Sequence, residues 1–131
     1  MALPRSFQVR SLVAAVMLGA LAGCATVAEQ TPEQVVKARA QARWDALVKG
    51  DLETAYSYLG PGSRAVNSLD AYKASVRKGF WTGAQVESVQ CEAETCQVSS
   101  QIEYQYRGSR FKTPLAETWI KQQGNWWYVL K

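Results

Sequence analysis

The sequence predicts an α+β domain in which helices come first and an antiparallel sheet follows. Apolar residues recur at helical spacing between about residues 32 and 78, and from Ala84 onward the period switches to two. Two cysteines, Cys91 and Cys96, stand between the first two alternating runs, where a hairpin would bring them opposite each other. Helices followed by a meander bury both sets of apolar faces when the helices pack on one face of the sheet.

The chain opens with the parts of an export signal: Arg5 and Arg10, an apolar run from about Ser11 to Leu21, then small residues. A run of about eleven apolar residues falls short of the roughly twenty that span a hydrocarbon core. Leu21-Ala22-Gly23-Cys24 resembles the lipobox of bacterial lipoproteins. That resemblance implies a diacylglycerol thioether on Cys24, cleavage before it, and acylation of the new amino terminus. Residues 1–23 are then a signal peptide, 24–31 a lipidated cysteine with a short polar tether, and 32–131 the folded domain. Ala25 stands where a different sorting signal would place Asp, so the resemblance also implies the periplasmic face of the outer membrane. Two or more acyl chains anchor stably, at about 0.8 kcal/mol per buried methylene. A tether of eight residues spans at most about 24 Å, which keeps the domain close to its bilayer.

Removing the signal changes the charge balance. Fifteen Lys plus Arg become thirteen when Arg5 and Arg10 leave, against eleven Asp plus Glu. The basic clusters at Lys73–Lys78 and Arg107–Lys112 are short and interrupted by apolar residues, unlike the concentrated stripe that binds nucleic acid. No nucleic-acid partner is expected. The chain has no histidine, and Cys91 and Cys96 lack both the Cys-x-x-Cys spacing of a redox pair and two further zinc ligands. No metal or cofactor is expected. In an oxidising compartment the two cysteines form a structural disulfide, a useful staple for a domain this small.

The elements follow in order. Thr31 caps a helix that has Pro32 at its first position and Gln34 placed to complete a capping box. Val36, Ala40, Trp44, Leu47 and Val48 form its apolar stripe, and Gly50 ends it. Asp51 caps a second helix over about Leu52–Tyr58, which Gly60-Pro61-Gly62 terminates. Ser68 caps a third, over about Leu69–Lys78, with Leu69, Tyr72 and Val76 inward. Strands follow over Val86–Cys91, Cys96–Tyr106, Phe111–Gln122 and Asn125–Leu130, with Gly108-Ser109 and Gln123-Gly124 as turns.

Within this framework, residues 42–56 (Ala-Arg-Trp-Asp-Ala-Leu-Val-Lys-Gly-Asp-Leu-Glu-Thr-Ala-Tyr), then Ser68–Tyr72, then Glu117–Lys121 and Gly124–Tyr128 carry a resemblance. The segment Val35–Leu130 resembles the NTF2-like superfamily, a cone made of helices on a bent antiparallel sheet. The resemblance implies an interior that often holds a ligand.

A turn at Gly108-Ser109 pairs Tyr106 with Phe111, Tyr104 with Thr113, Ile102 with Leu115, Ser100 with Glu117 and Val98 with Trp119. Glu117 then lies on the apolar face, where a carboxylate needs a partner. It is the candidate polar anchor, with Ser100 beside it, in a pocket walled by Trp44, Tyr72, Tyr104 and Trp119. The same aromatics also read as core packing, and a one-residue slip at Pro114 turns Glu117 outward. The expected role is binding, without catalysis, of a small apolar ligand or an envelope protein. The alternative is an isomerase or dehydratase with Glu117 as general base and Tyr72 or Tyr104 as donor. Enzymes of the superfamily use a carboxylate base with Tyr and Asp donors, or His–Asp pairs, and Asp45, Asp51 and Asp70 here sit at helix caps or exposed helix positions. Gln97, Gln101, Glu103, Gln105 and Lys112 make the outer sheet face polar, which favours a monomer over a homodimer.

Overall fold

The computed structural model describes residues 28–131, so the expected signal peptide and Cys24 lie outside the described residues. Helix α1 (Pro32–Lys49) begins at the expected capping box: the Gln34 backbone N–H donates to the Thr31 hydroxyl, and the Thr31 N–H donates to the Gln34 side chain. It ends at Gly50, whose φ of 74° is the left-handed conformation that closes a helix. Asp51 accepts from the Thr54 N–H to cap α2 (Leu52–Ser57).

The next element was not expected. Gly60-Pro61-Gly62 reads as a breaker, but Pro61 begins a short helix, α3 (Pro61–Val66), after an extended Gly60. Proline's fixed φ and missing N–H suit a first helical position as well as a turn, which is why the two readings look alike in sequence. Ser68 caps α4 (Leu69–Ser75), which stops short of the expected Lys78 because Val76 is already extended.

Four strands form an antiparallel meander in chain order: β1 (Trp81–Glu92), β2 (Thr95–Tyr106), β3 (Ser109–Gln122) and β4 (Asn125–Tyr128). β1 starts earlier than expected, at Trp81. Register shifts between Trp81 and Gly83 and between Val86 and Ser88 interrupt its pairing, the kind of irregularity that bends a strand. Cys91 and Cys96 face each other and are disulfide-bonded.

The β2–β3 turn falls one residue earlier than expected. Arg107 (φ 47°) and Gly108 (φ 80°) are its two central residues, a type I′ pattern with glycine second rather than first. Tyr106 therefore pairs with Ser109, Tyr104 with Phe111, Ile102 with Thr113, Ser100 with Leu115, Val98 with Glu117 and Cys96 with Trp119. The register slips by two residues from the expected one. An even slip keeps every side chain on its face, so Glu117 still points inward, opposite Val98 rather than Ser100.

α1 lies across the inner face of the sheet, against β1, β2 and β4. Its Gln41 accepts from the Val86 N–H and donates to the Ala84 carbonyl at the outer margin of β1. On the far side, Leu59 bridges to Tyr128, the Gly60 N–H donates to Tyr128, and the Tyr128 N–H donates to Tyr58. Between these margins the core holds Val36, Trp44, Leu47, Leu59, Tyr72, Val86, Val98, Ile102 and Trp119. Truncating a side chain as large and as buried as Trp119 costs about 3–5 kcal/mol. Among the described residues, every buried residue of the core falls between Val36 and Trp126.

Candidate functional site: a buried ion pair beneath an aromatic mouth

The stripe of α1 that packs on the sheet contains one cation. Arg43 falls between Ala40 and Leu47 in the helical repeat and is only 4 % exposed. β3 brings Glu117, 3 % exposed, to meet it. Arg43 Nη1 donates to Glu117 Oε1 at 2.5 Å, and the Trp44 indole N–H donates to Oε2 at 3.0 Å. Both carboxylate oxygens are therefore engaged. The guanidinium also lies 3.7 Å from the ring centroid of Tyr128 and 5.3 Å from that of Trp44. A buried charge requires such pairing, because an isolated carboxylate in this environment is costly.

Tyr72 and Tyr128 stand in the field of this pair. Burial pushes both phenols above their ordinary value, while the positive charge of Arg43 draws them back. Around the pair, the Tyr72 hydroxyl, Ser100 Oγ, the Trp119 indole N–H and Arg43 Nε are buried without a hydrogen-bond partner among the described residues. The centre is polar, tightly enclosed and incompletely satisfied.

Of the residues expected to line a pocket, Trp44, Tyr72, Ser100 and Trp119 are buried with Glu117 on the inner side of the sheet. Tyr104 belongs to a separate aromatic ladder. Its ring stacks on Phe80 at 5.0 Å and on Phe111 at 5.3 Å, while Trp81 sets its edge against Phe80 and against Trp44. Arg43 and Tyr128 were not singled out in the sequence. For Arg43 the signal was present, since a cation at a stripe position demands a buried anion. For Tyr128 there was none, because only the tertiary fold lays its ring under the guanidinium.

Along the inner face of β3, cover is complete at Glu117 and broken toward the tip. Glu117 is buried, Leu115 is 37 % exposed and Phe111 is 43 % exposed. The base of the hairpin is covered, and toward the tip β2 stays buried as far as Ile102 while β3 is exposed at Leu115 and Phe111. Two of the hollows lie on the surface: about 420 Å³ beside Gly50, Leu52 and Lys73, and about 350 Å³ beside Val76, Phe80 and Trp81. Neither is lined by Glu117, Tyr72 or Trp119.

No family model matches the chain, and no curated protein matches it in sequence. Solved structures do. A SEC-C motif containing protein from Rhodopseudomonas palustris is similar at a TM-score of 0.60 and 15 % identity, over 71 % of this chain and 73 % of that one. A second SEC-C motif containing protein, from Psychrobacter arcticus, gives 0.61 and 14 %, over 78 % of this chain and 62 % of that one. An NTF2-like transpeptidase from Campylobacter jejuni gives 0.51 and 15 %, over 70 % of this chain and 94 % of that one. At such identity the likeness concerns the fold alone. Four helices on a four-stranded antiparallel sheet, with this last neighbour, make the fold α+β and NTF2-like.

Proposed function

We propose that this chain is a lipoprotein of the cell envelope, anchored through Cys24, whose NTF2-like domain acts by binding a partner protein and not by catalysis. The observation that carries the reading is the engagement of Glu117. A general base needs a free lone pair within reach of a substrate proton. Here Arg43 takes one oxygen and Trp44 the other, inside a core with Trp119 packed beside them. The same packing argues against a small apolar ligand held at the level of Glu117. Apart from Val66 on α3, the large apolar side chains left open lie on the inner face of the outer half of the hairpin, at Leu115, Phe111 and Tyr106. The anchor is supported by the lipobox-like Leu21-Ala22-Gly23-Cys24.

The test places a photoreactive amino acid at Leu115 in the full chain, in living cells, with the same group at Gln97 on the outer face as control. The expected result is a discrete crosslinked envelope protein from Leu115 and none from Gln97. Mass spectrometry of the natively purified, delipidated protein is the second arm. Recovery of one small molecule in stoichiometric amount, with no crosslink, overturns the partner reading in favour of a ligand.

A further inference from the structure

The tip of the β2–β3 hairpin combines Phe111 and Tyr106 with features that the partner reading does not use. Tyr106 (46 % exposed) and Phe111 lie on one side of the hairpin, and both are large apolar rings in water. Arg107 occupies the turn with its guanidinium 5.2 Å from the Tyr106 ring, and Arg110 and Lys112 follow on β3, on the face opposite the two rings. From Gln101 to Leu115 the only acid is Glu103, and it is paired with Lys112 at 2.8 Å. Arg107 and Arg110 form no salt bridge among the described residues. Behind the tip, Arg77 lies 5.7 Å from the Phe80 ring, adding a further cation at the same aromatic ladder.

We infer that this tip is a membrane contact, docking on a bilayer surface rich in anionic lipid. Aromatic rings on one face of the tip, with Arg107 at the turn and Arg110 on the reverse face, match the two layers of such a surface, acyl and glycerol groups below and negative headgroups above. Each Lys or Arg held near an anionic surface is worth about fivefold in partition, and its reach is set by the Debye length of about 8–10 Å. Protein partners of acidic character share only the charge half of this match. The paired rings at the very end of the molecule favour the bilayer.

The position of the tip gives the contact a mechanical meaning. Gln41 of α1 meets Ala84 and Val86, and Trp44 meets Trp81, which pairs with Tyr104. α1 therefore runs from the disulfide end of the sheet toward the tip, and its start at Thr31 is at the opposite end. From Cys96 to Tyr106 the strand covers about 33 Å. With the Cys24 anchor proposed above, the domain is held at both ends and lies along the bilayer instead of standing away from it.

The test uses a chain beginning at Ala28, without the cysteine or its lipid, so that its failure leaves the anchor reading untouched. Binding is measured by co-sedimentation with phosphatidylglycerol–phosphatidylcholine vesicles and with phosphatidylcholine vesicles alone. The expected result is binding to the anionic vesicles at low salt, lost in 0.5 M NaCl. Arg107→Glu with Arg110→Glu lowers it at least tenfold, and Tyr106→Ser, which leaves the Tyr104–Phe111 stack in place, lowers it severalfold. Absence of binding to anionic vesicles overturns the proposal. So does equal binding to neutral vesicles, or salt-sensitive binding that ignores the tip substitutions.

Discussion

Arg43 of α1 and Glu117 of β3 form a buried ion pair across the interface between helix and sheet, and the residue next to Arg43, Trp44, donates to the second carboxylate oxygen. One helical turn thus supplies both of the carboxylate's partners. The pair fixes how α1 is rotated on the sheet, because turning the helix separates two polar groups that have no other buried partner of opposite charge among the described residues.

Removing one member leaves a charge stranded in the core. Glu117→Ala is expected to cost about 3–5 kcal/mol in urea unfolding, and Arg43→Met a similar amount. The double variant Arg43→Met with Glu117→Leu should recover most of the loss, since apolar groups of similar volume replace a buried pair at little cost. Strictly additive losses in the double-mutant cycle would count against a direct coupling.

The Tyr72 hydroxyl is buried without a partner among the described residues. Tyr72→Phe should therefore be neutral or stabilise by up to about 1 kcal/mol, in contrast to the cost at Glu117. A loss above 2 kcal/mol would mean that the hydroxyl has a partner in solution.

The raised phenols of Tyr72 and Tyr128 set an alkaline limb. A folded value above the unfolded one means that the native state holds these protons more tightly. Their contribution is complete below the ordinary tyrosine value of 10.0 and is lost as pH rises from there through the folded values. Melting temperature should fall above about pH 10, and Tyr72→Phe should flatten that fall. A melting curve with the same alkaline slope in wild type and variant would remove Tyr72 from the account.

The Cys91–Cys96 bond closes a loop with a sequence separation of 5. Replacing both cysteines with serine should cost about 2 kcal/mol on the chain-entropy account. The same drop should appear in wild type on adding dithiothreitol and be absent in the serine variant.

Cys24→Ser in the full chain should abolish labelling by a clickable fatty acid and leave unlipidated protein, held as precursor or released in soluble form. Labelled, membrane-bound protein that survives this change would place the anchor elsewhere.

Much of the fold was legible because local chemistry and tertiary burial agree. Thr31, Asp51 and Ser68 cap the helices they were expected to cap, and Gly50 ends the first. Alternation on β2 put Val98, Ser100 and Ile102 inward, where they are buried. What was misread depends on a backbone choice that two residues share. Arg107 is a poor candidate for positive φ, so the turn was placed on Gly108 and Ser109, yet the type I′ geometry accepts it beside glycine. Pro61 was read as a stop because a proline that ends one helix and a proline that starts the next look identical. At the candidate site Glu117 was found through face parity, which survived the two-residue slip. Its partner Arg43 was passed over because arginines on helices are usually solvated, and only the packing of α1 on the inner face of the sheet, which brings Arg43 to Glu117, decides otherwise.

The contacts along the sheet's margins have a consequence for how copies of this chain meet. An open strand is a template on which another chain can zip, and proteins that are kept at high local density must stop that growth. Gln41 occupies backbone groups of β1, and the Tyr58–Gly60 segment occupies those of β4. The stretch of β3 that β4 does not reach contains Pro114, which has no N–H to offer, preceded by Arg110, whose charge repels an identical neighbour. Each of these places is blocked by a different device, which disfavours edge-to-edge pairing there.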